Sequence, residues 1–405
     1  MSIVDPVFVL CASALAFTVS LILGRFRRAG PVAGTYQSID GLRGYLALFV
    51  FLHHAAIWHV YLTTGQWRLP PSNLFVHLGQ GSVSLFFMIT AFLFYGKVIE
   101  REGREMDWPR FFVGRMLRLA PLYMVMVVVL LGIAAVESHG ILADSPRRLL
   151  RAVAHWFLFT IFDEAIVNGI GMQQFNAGVN WSLPYEWYFY FSMPLLALTG
   201  RVRVPWPWLL AGAAMLAWAV LSQALAFYAA VFACGIAAAF AVRRAVFARF
   251  CSTTLASMLA CACLVLLVAG FPVSYEYPQL ALLAVVFALV AGGADLFGVL
   301  SARPSHILGE LSYSIYLLHG TLLFVVIRYL AGYEAVRAMS PLWYWGLMYA
   351  ILLALLVLAT ATFRLVETPA MQSVSDVMRL LRKRRHPGAT VGKDIQLDGA
   401  NRDMG

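Results

Sequence analysis

The chain has 405 residues, of which 61% are hydrophobic and 12% charged, and its mean hydropathy is +0.77. A soluble chain of this length would divide into domains with polar surfaces, so the composition excludes an ordinary globular protein. The formal charge of +10 is almost entirely arginine and falls between apolar runs, the pattern of membrane topology signals and not of a nucleic-acid surface.

Candidate spans follow in chain order at 6–23, 39–60, 80–98, 119–136, 182–199, 207–222, 224–241, 253–270, 279–299, 310–330 and 342–363. Each matches the roughly 20 residues that cross a bilayer as a helix. Runs such as Met124–Gly132 and Ala350–Leu358 do not alternate, which excludes a β-barrel. The expected fold is all-α, a polytopic bundle of about eleven spans. Arg25, Arg27 and Arg28 close the first span. Arg101, Arg104, Arg110 and Arg115 precede the fourth, and Arg201 and Arg203 follow the fifth. Arg243, Arg244 and Arg249 follow the seventh, Arg303 precedes the tenth, and Arg379 to Arg385 fill the tail. Placing all of these in the cytoplasm puts the N-terminus outside and the C-terminus inside. Residues 147–167 resist the scheme. They begin with Arg147, Arg148 and Arg151, are flanked by Asp163 and Glu164, and read as an interfacial or re-entrant helix. The first span has Asp5 and no basic residue ahead of it, so it is not read as a signal peptide. It reads as an added helix with a basic linker (1–37), ahead of a core at 38–370 and a basic, partly disordered tail at 371–405. The five cysteines show neither a disulfide framework nor metal spacing.

Polar groups inside spans are costly and mark functional candidates. The first group is Ser38-Ile-Asp-Gly-Leu-Arg-Gly44 leading to His53-His54. Asp40 and Arg43 are spaced to pair on a helix. Arg43 and His54 share a face about 16 Å apart along the axis, so they can address two ends of an elongated ligand. The plainer reading is a helix cap at Asp40 and an interface marker at Arg43. In the second group, Arg115 and Arg118 stand one turn apart at a helix entry and suit a phosphate clamp, or simple anchoring. The third is Asn180-Trp-Ser-Leu-Pro-Tyr-Glu186, where Glu186 is a carboxylate among aromatic residues in the outer third of its span. Its aromatic neighbours, Trp181 included, fit an interfacial belt. In the fourth, Ser312, Tyr316 and His319 recur at helical spacing as a polar stripe, beside Ser314. Interhelical hydrogen bonding would also explain that stripe. His59 and His77 are expected on the surface, and Pro369 is expected to stop the last helix.

Taken in this order, the four groups resemble the acyltransferase 3 family of bacterial integral membrane O-acyltransferases. The resemblance runs from about Ser38 to Pro369 and rests on Arg43 with His54, on Arg115, Arg118 and Pro121, on Trp181, Ser182, Leu183 and Glu186, and on Ser312, Tyr313, Ser314, Tyr316 and His319. The extra first span departs from it, and so does the lack of a fused esterase-like domain. The resemblance implies transfer of an acyl group, usually acetyl, from acyl-coenzyme A to a hydroxyl of a carbohydrate or lipid-linked cell-envelope glycan. It also implies a location in the bacterial inner membrane. No permanently bound cofactor, metal or nucleic acid is expected.

The residues suit that chemistry. His54 can act as base on the acceptor hydroxyl, with His53 as the neighbouring alternative, or it can carry the acyl group itself. Glu186 can orient the histidine or bind the acceptor. Arg43, Arg115 and Arg118 can hold the coenzyme A phosphates, and Tyr316 or Ser312 can donate to the oxyanion. His53, Asp40, Trp181, Ser182, Ser314 and His319 are assigned to substrate contact or structural polarity. A multi-span transporter is the rival reading, although no inverted repeat is visible. A receptor or scaffold with a structural polar network is the third.

Overall fold

The computed structural model describes residues 2–25, 36–162, 166–221 and 226–385, with side chains to residue 382. Arg27, Arg28, Asp163, Glu164 and the expected disorder beyond residue 385 lie outside the described residues. The helices in chain order are α1 Pro6–Arg25, α2 Gln37–Thr64, α3 Asn73–Ile99, α4 Trp108–Glu137, α5 Pro146–Phe157 and α6 Ser182–Thr199. They continue as α7 Trp206–Leu221, α8 Ala226–Ala241, α9 Ala245–Cys251, α10 Thr254–Gly270, α11 Tyr277–Ala291 and α12 Arg303–Glu310. The last are α13 Ser312–Val325, α14 Tyr333–Arg337, α15 Pro341–Thr362, α16 Thr368–Gln372 and α17 Val374–Arg385. Among the described residues there is no strand, only two isolated bridges.

Each of the eleven apolar runs carries a helix. By length and composition, six helical segments qualify as spans: α1, α2, α3, α4, α13 with its extension to Ala331, and α15 onward to Arg382. The pair α8–α9, bent by 104°, would be a seventh, while α7, α10 and α11 are apolar but shorter. Helix α11 ends at Ala291, short of the expected 299, because Gly292 and Gly293 open a turn. Helix α5 has 12 residues. At about 1.5 Å per residue it is too short for a core about 30 Å thick. Arg147, Arg148 and Arg151 are exposed along it, while Ala152 and Trp156 are buried. That pattern suits a helix lying along the interface.

The bundle is apolar on its outside as well as through most of its interior, unlike a soluble protein, with buried polar groups gathered in a minority of places. Val125, Val128 and Val136 of α4, and Leu342, Trp343 and Val357 of α15, are exposed. The most apolar stretch of α2 is 72% buried, against 33% for α1. Helix α2 packs on α3, α12 and α13. Its contact with α12 depends on glycine. A Cβ on Gly309 would lie 1.8 Å from the Asp40 carbonyl oxygen, and one on Gly44 would lie 2.7 Å from the Gly309 nitrogen. Only backbones without side chains approach so closely. Asp40 therefore sits at a helix–helix contact and does not cap α2, whose N-cap is Tyr36.

The basic loops gather on one face. Gly103 donates to the Arg201 carbonyl, and Arg201 pairs with Glu102 at 3.4 Å. Arg243 reaches Glu100 at 3.5 Å, and Arg382 reaches Asp107 at 3.4 Å. On the other face Arg328 pairs with Glu137 at 3.3 Å, and Asn168 donates to the Ile141 carbonyl at 2.7 Å.

Two expectations are corrected. Pro369 does not stop the last helix. A π-helical turn, Phe363–Glu367, precedes it, and the proline falls in the first turn of α16, where it has no lost hydrogen bond to make good. His77 is not a surface group. It is buried, its Nε2 donates to the Phe271 carbonyl at 2.7 Å, and its Nδ1 accepts from Ser274 Oγ at 2.6 Å.

Candidate active site

Five helices enclose a pocket of about 860 Å³, solvent at its mouth included, and α3 supplies its mostly apolar wall from Val83 to Phe94. Helix α2 contributes Arg43, α4 contributes Arg115 and Arg118, α6 contributes Ser182, Glu186 and Tyr190, and α13 contributes Ser312 and Tyr316. Residues drawn from five separated stretches of sequence thus line one space. Glu186 shares it with the three arginines, instead of standing with His54 apart from them.

The arginines are not equivalent. Arg118 Nη1 lies 2.5 Å from Glu367 Oε2, and that carboxylate is 1% exposed. Ser314 Oγ donates to the other oxygen of Glu367. Arg118 also lies over the Tyr313 ring, 5.6 Å from its centroid. A buried carboxylate needs such partners, so Glu367 and Arg118 hold each other. Arg115 lies over the face of Phe94 at 4.6 Å. Arg43 forms no salt bridge with Asp40 among the described residues; its electrostatic neighbours include Arg115, Arg118 and Glu186 as well. Glu186 accepts from the Tyr190 hydroxyl one helical turn on. The pocket lining therefore carries three arginines against a single carboxylate, Glu186, with Glu367 and Asp40 behind Arg118 and Arg43.

Above the pocket stands a histidine pair. His319 Nε2 lies 3.0 Å from His54 Nδ1, across 265 positions of sequence. His319 Nδ1 lies 3.2 Å from the Ile315 carbonyl, which can only accept. In the neutral ring, Nδ1 of His319 thus carries the proton and Nε2 accepts. The bond from His54 must then be donated by its Nδ1–H, which also lies 3.0 Å from the Val50 carbonyl. His54 Nε2 is left with a lone pair. His53 is turned elsewhere: its Nδ1 donates to the Phe75 carbonyl at 2.7 Å. The hydrogen-bond partner of His54 is therefore His319, a place the sequence reading offered to Glu186.

Tyr316 joins pair and pocket, its ring 6.1 Å from that of His319. Its hydroxyl lies 2.8 Å from Ser182 Oγ and 3.2 Å from the Val179 carbonyl. Ser312 Oγ is buried in the pocket wall with no hydrogen-bond partner among the described residues. Ser314 faces Glu367 and not the pocket, and Trp181 belongs to an aromatic cluster beside it.

Sequence reasoning missed three parts. Glu367 was visible only as the acid ending the last run. Asn176, fully buried in the loop ahead of α6, donates at 2.9 Å to the equally buried Asn180, which the sequence offered only as the start of its third group. Gly320 admits that loop: a Cβ there would lie 2.0 Å from the Asn176 carbonyl oxygen. None carries a periodic signal, because each matters only to a distant partner.

The sequence profile of a family described as an acyltransferase domain (Acyl_transf_3) matches residues 36–361, which leaves α1 outside the match. Among the curated proteins and the solved structures, nothing matches.

Proposed function

The chain belongs to the acyltransferase 3 family, and from that premise we propose that it moves an acyl group, acetyl by preference, from acyl-coenzyme A to a hydroxyl of a carbohydrate or cell-envelope glycan. The observation that carries this reading is the His54–His319 pair, set beside a pocket lined by arginines. A base fixed in one tautomer next to a polyanion site is what acyl transfer from coenzyme A to an alcohol requires.

His54 Nε2 takes the proton of the acceptor hydroxyl as that oxygen attacks the thioester carbonyl carbon. A C–O bond forms, and the carbonyl oxygen becomes an oxyanion. Ser312, whose hydroxyl is unengaged, donates to it. Tyr316 suits this less, since its hydroxyl is already bonded to Ser182 and Val179. The oxyanion collapses, the C–S bond breaks, and the coenzyme A thiolate takes the proton from His54. His319 holds the imidazole through Nδ1 and steadies the transient imidazolium. Arg43 and Arg115 meet the donor phosphates, with Arg118 anchored behind them by Glu367.

In this reading the face of gathered basic loops is cytoplasmic, the chain crosses a bacterial inner membrane eleven times, and α5 lies on the outer surface. Donor and acceptor then reach the site from opposite ends. The test is an assay of O-acetyl esters in cell envelopes carrying wild type or His54→Ala. Esters should vanish in the variant while the protein remains in the membrane at wild-type level. Unchanged ester content would overturn the proposal.

A further inference from the structure

Beside the pocket, between the start of α6, the start of α8 and the loop ahead of α11, six aromatic rings meet. Tyr185 and Tyr228 lie 4.4 Å apart, Trp181 and Tyr228 5.6 Å, and Tyr228 and Tyr275 6.0 Å. Phe227 adjoins Tyr275 at 5.9 Å, and Phe87, which lines the pocket, lies 5.7 Å from Tyr228. An interfacial belt presents its rings to lipid, one by one. Here the rings face one another across four segments of chain, and Trp181, Tyr185, Tyr228 and Tyr275 are each only half-buried.

Their hydroxyls set them apart. The buried tyrosines elsewhere are satisfied: Tyr123 donates to Trp156 at 2.8 Å, Tyr313 to Leu119 at 2.6 Å, and Tyr344 to Ala55 at 2.6 Å. Among the described residues nothing hydrogen-bonds the hydroxyls of Tyr185, Tyr228 or Tyr275. Three phenols and an indole thus combine open polar tips with apolar faces. The loop bearing Tyr275 is also held in place. Next to it, Ser274 is fully buried, bonded through Oγ to His77 and through its backbone N–H to Gln80 Oε1 at 2.8 Å. Tyr228 and Tyr275 are electrostatic neighbours of Tyr316, so the cluster abuts the catalytic end of the pocket.

We propose that Trp181, Tyr185, Tyr228 and Tyr275 form a sugar subsite that seats a pyranose ring of the acceptor next to Tyr316 and the histidine pair. A pyranose offers an apolar C–H face that stacks on aromatic rings and a rim of hydroxyls that need hydrogen-bond partners; this cluster supplies both. The proposal rests on the acyltransferase reading for the direction of the acceptor, but binding is measurable without turnover.

The full chain in nanodiscs is probed with maltotriose and with tri-N-acetylchitotriose by saturation-transfer NMR. Acetyl transfer from acetyl-coenzyme A to the same saccharides and to hexanol is measured in parallel. Wild type should pass saturation to the ring C–H protons of at least one saccharide. Trp181→Ala and Tyr275→Ala should lose that signal and raise the saccharide KM by about tenfold. The acetyl-coenzyme A KM and the hexanol rate should stay at wild-type values. Tyr228→Phe and Tyr275→Phe, which keep the rings, should lie between. Two results overturn the subsite: no saccharide signal in wild type, or an unchanged signal and saccharide KM in the folded alanine variants. Saccharide binding by a wild type that acetylates no hydroxyl would instead refute the acyltransferase reading and leave the subsite standing.

Discussion

The two ends of the site bury polar groups by different means. At the arginine end, charge meets charge: Arg118 holds Glu367, Arg115 lies on Phe94, and Arg43 faces Glu186. At the histidine end, neutral groups form a directed chain from His54 through His319 to a backbone carbonyl. In the proposed reaction a charged donor is attracted at the first end, where fixed charges are useful, and a proton is moved at the second, where the useful feature is a set tautomer. Losing a partner at the charged end should thus cost stability, while losing one at the neutral end should cost rate.

The largest expected effect tests the neutral end. His54→Ala should lower kcat by about 10²–10⁴-fold with little change in acetyl-coenzyme A affinity, read by radiolabelled transfer in proteoliposomes. An equal loss of donor affinity would erase the distinction between the ends. Ser312→Ala should lower kcat by about 10²–10³-fold, the cost of removing an oxyanion donor. A rate within a factor of two of wild type would return that role to Tyr316. Glu367→Ala should strand the Arg118 guanidinium and destabilise the fold by about 3–5 kcal/mol, measured as a drop in thermal midpoint in detergent. His319→Ala should lower kcat by roughly tenfold to a hundredfold in the protein that remains folded, since His54 keeps only its bond to Val50. The smallest effect belongs to Gly320→Ala, where the Cβ must displace the Asn176 carbonyl. The overpacking should cost about 1–3 kcal/mol. A midpoint equal to that of wild type would mean that the loop ahead of α6 yields freely.

Run length and charge clustering read the helices well, because a segment in hydrocarbon must satisfy its backbone internally whatever its neighbours are. Where the reading failed, a partner outside the local window decided the outcome. His77 looked like a loop histidine until the 271–276 loop folded over it. Pro369 looked like a stop until a π-turn took up the extra residue. Glu367 looked like the end of a span until Arg118 arrived from α4.

The sequence by itself determined that the chain is a helical bundle built for lipid, and which family it resembles, since hydropathy, arginine clusters and four ordered motifs are local properties. It also placed Arg43 and His54 on one face of α2, because helix geometry is rigid over that distance. Only the tertiary structure decided which groups meet. The pairing of His54 with His319 and of Arg118 with Glu367 spans 265 and 249 positions. Such contacts depend on how helices pack at their glycine faces and on which buried polar atoms find partners there. No spacing along the chain encodes that.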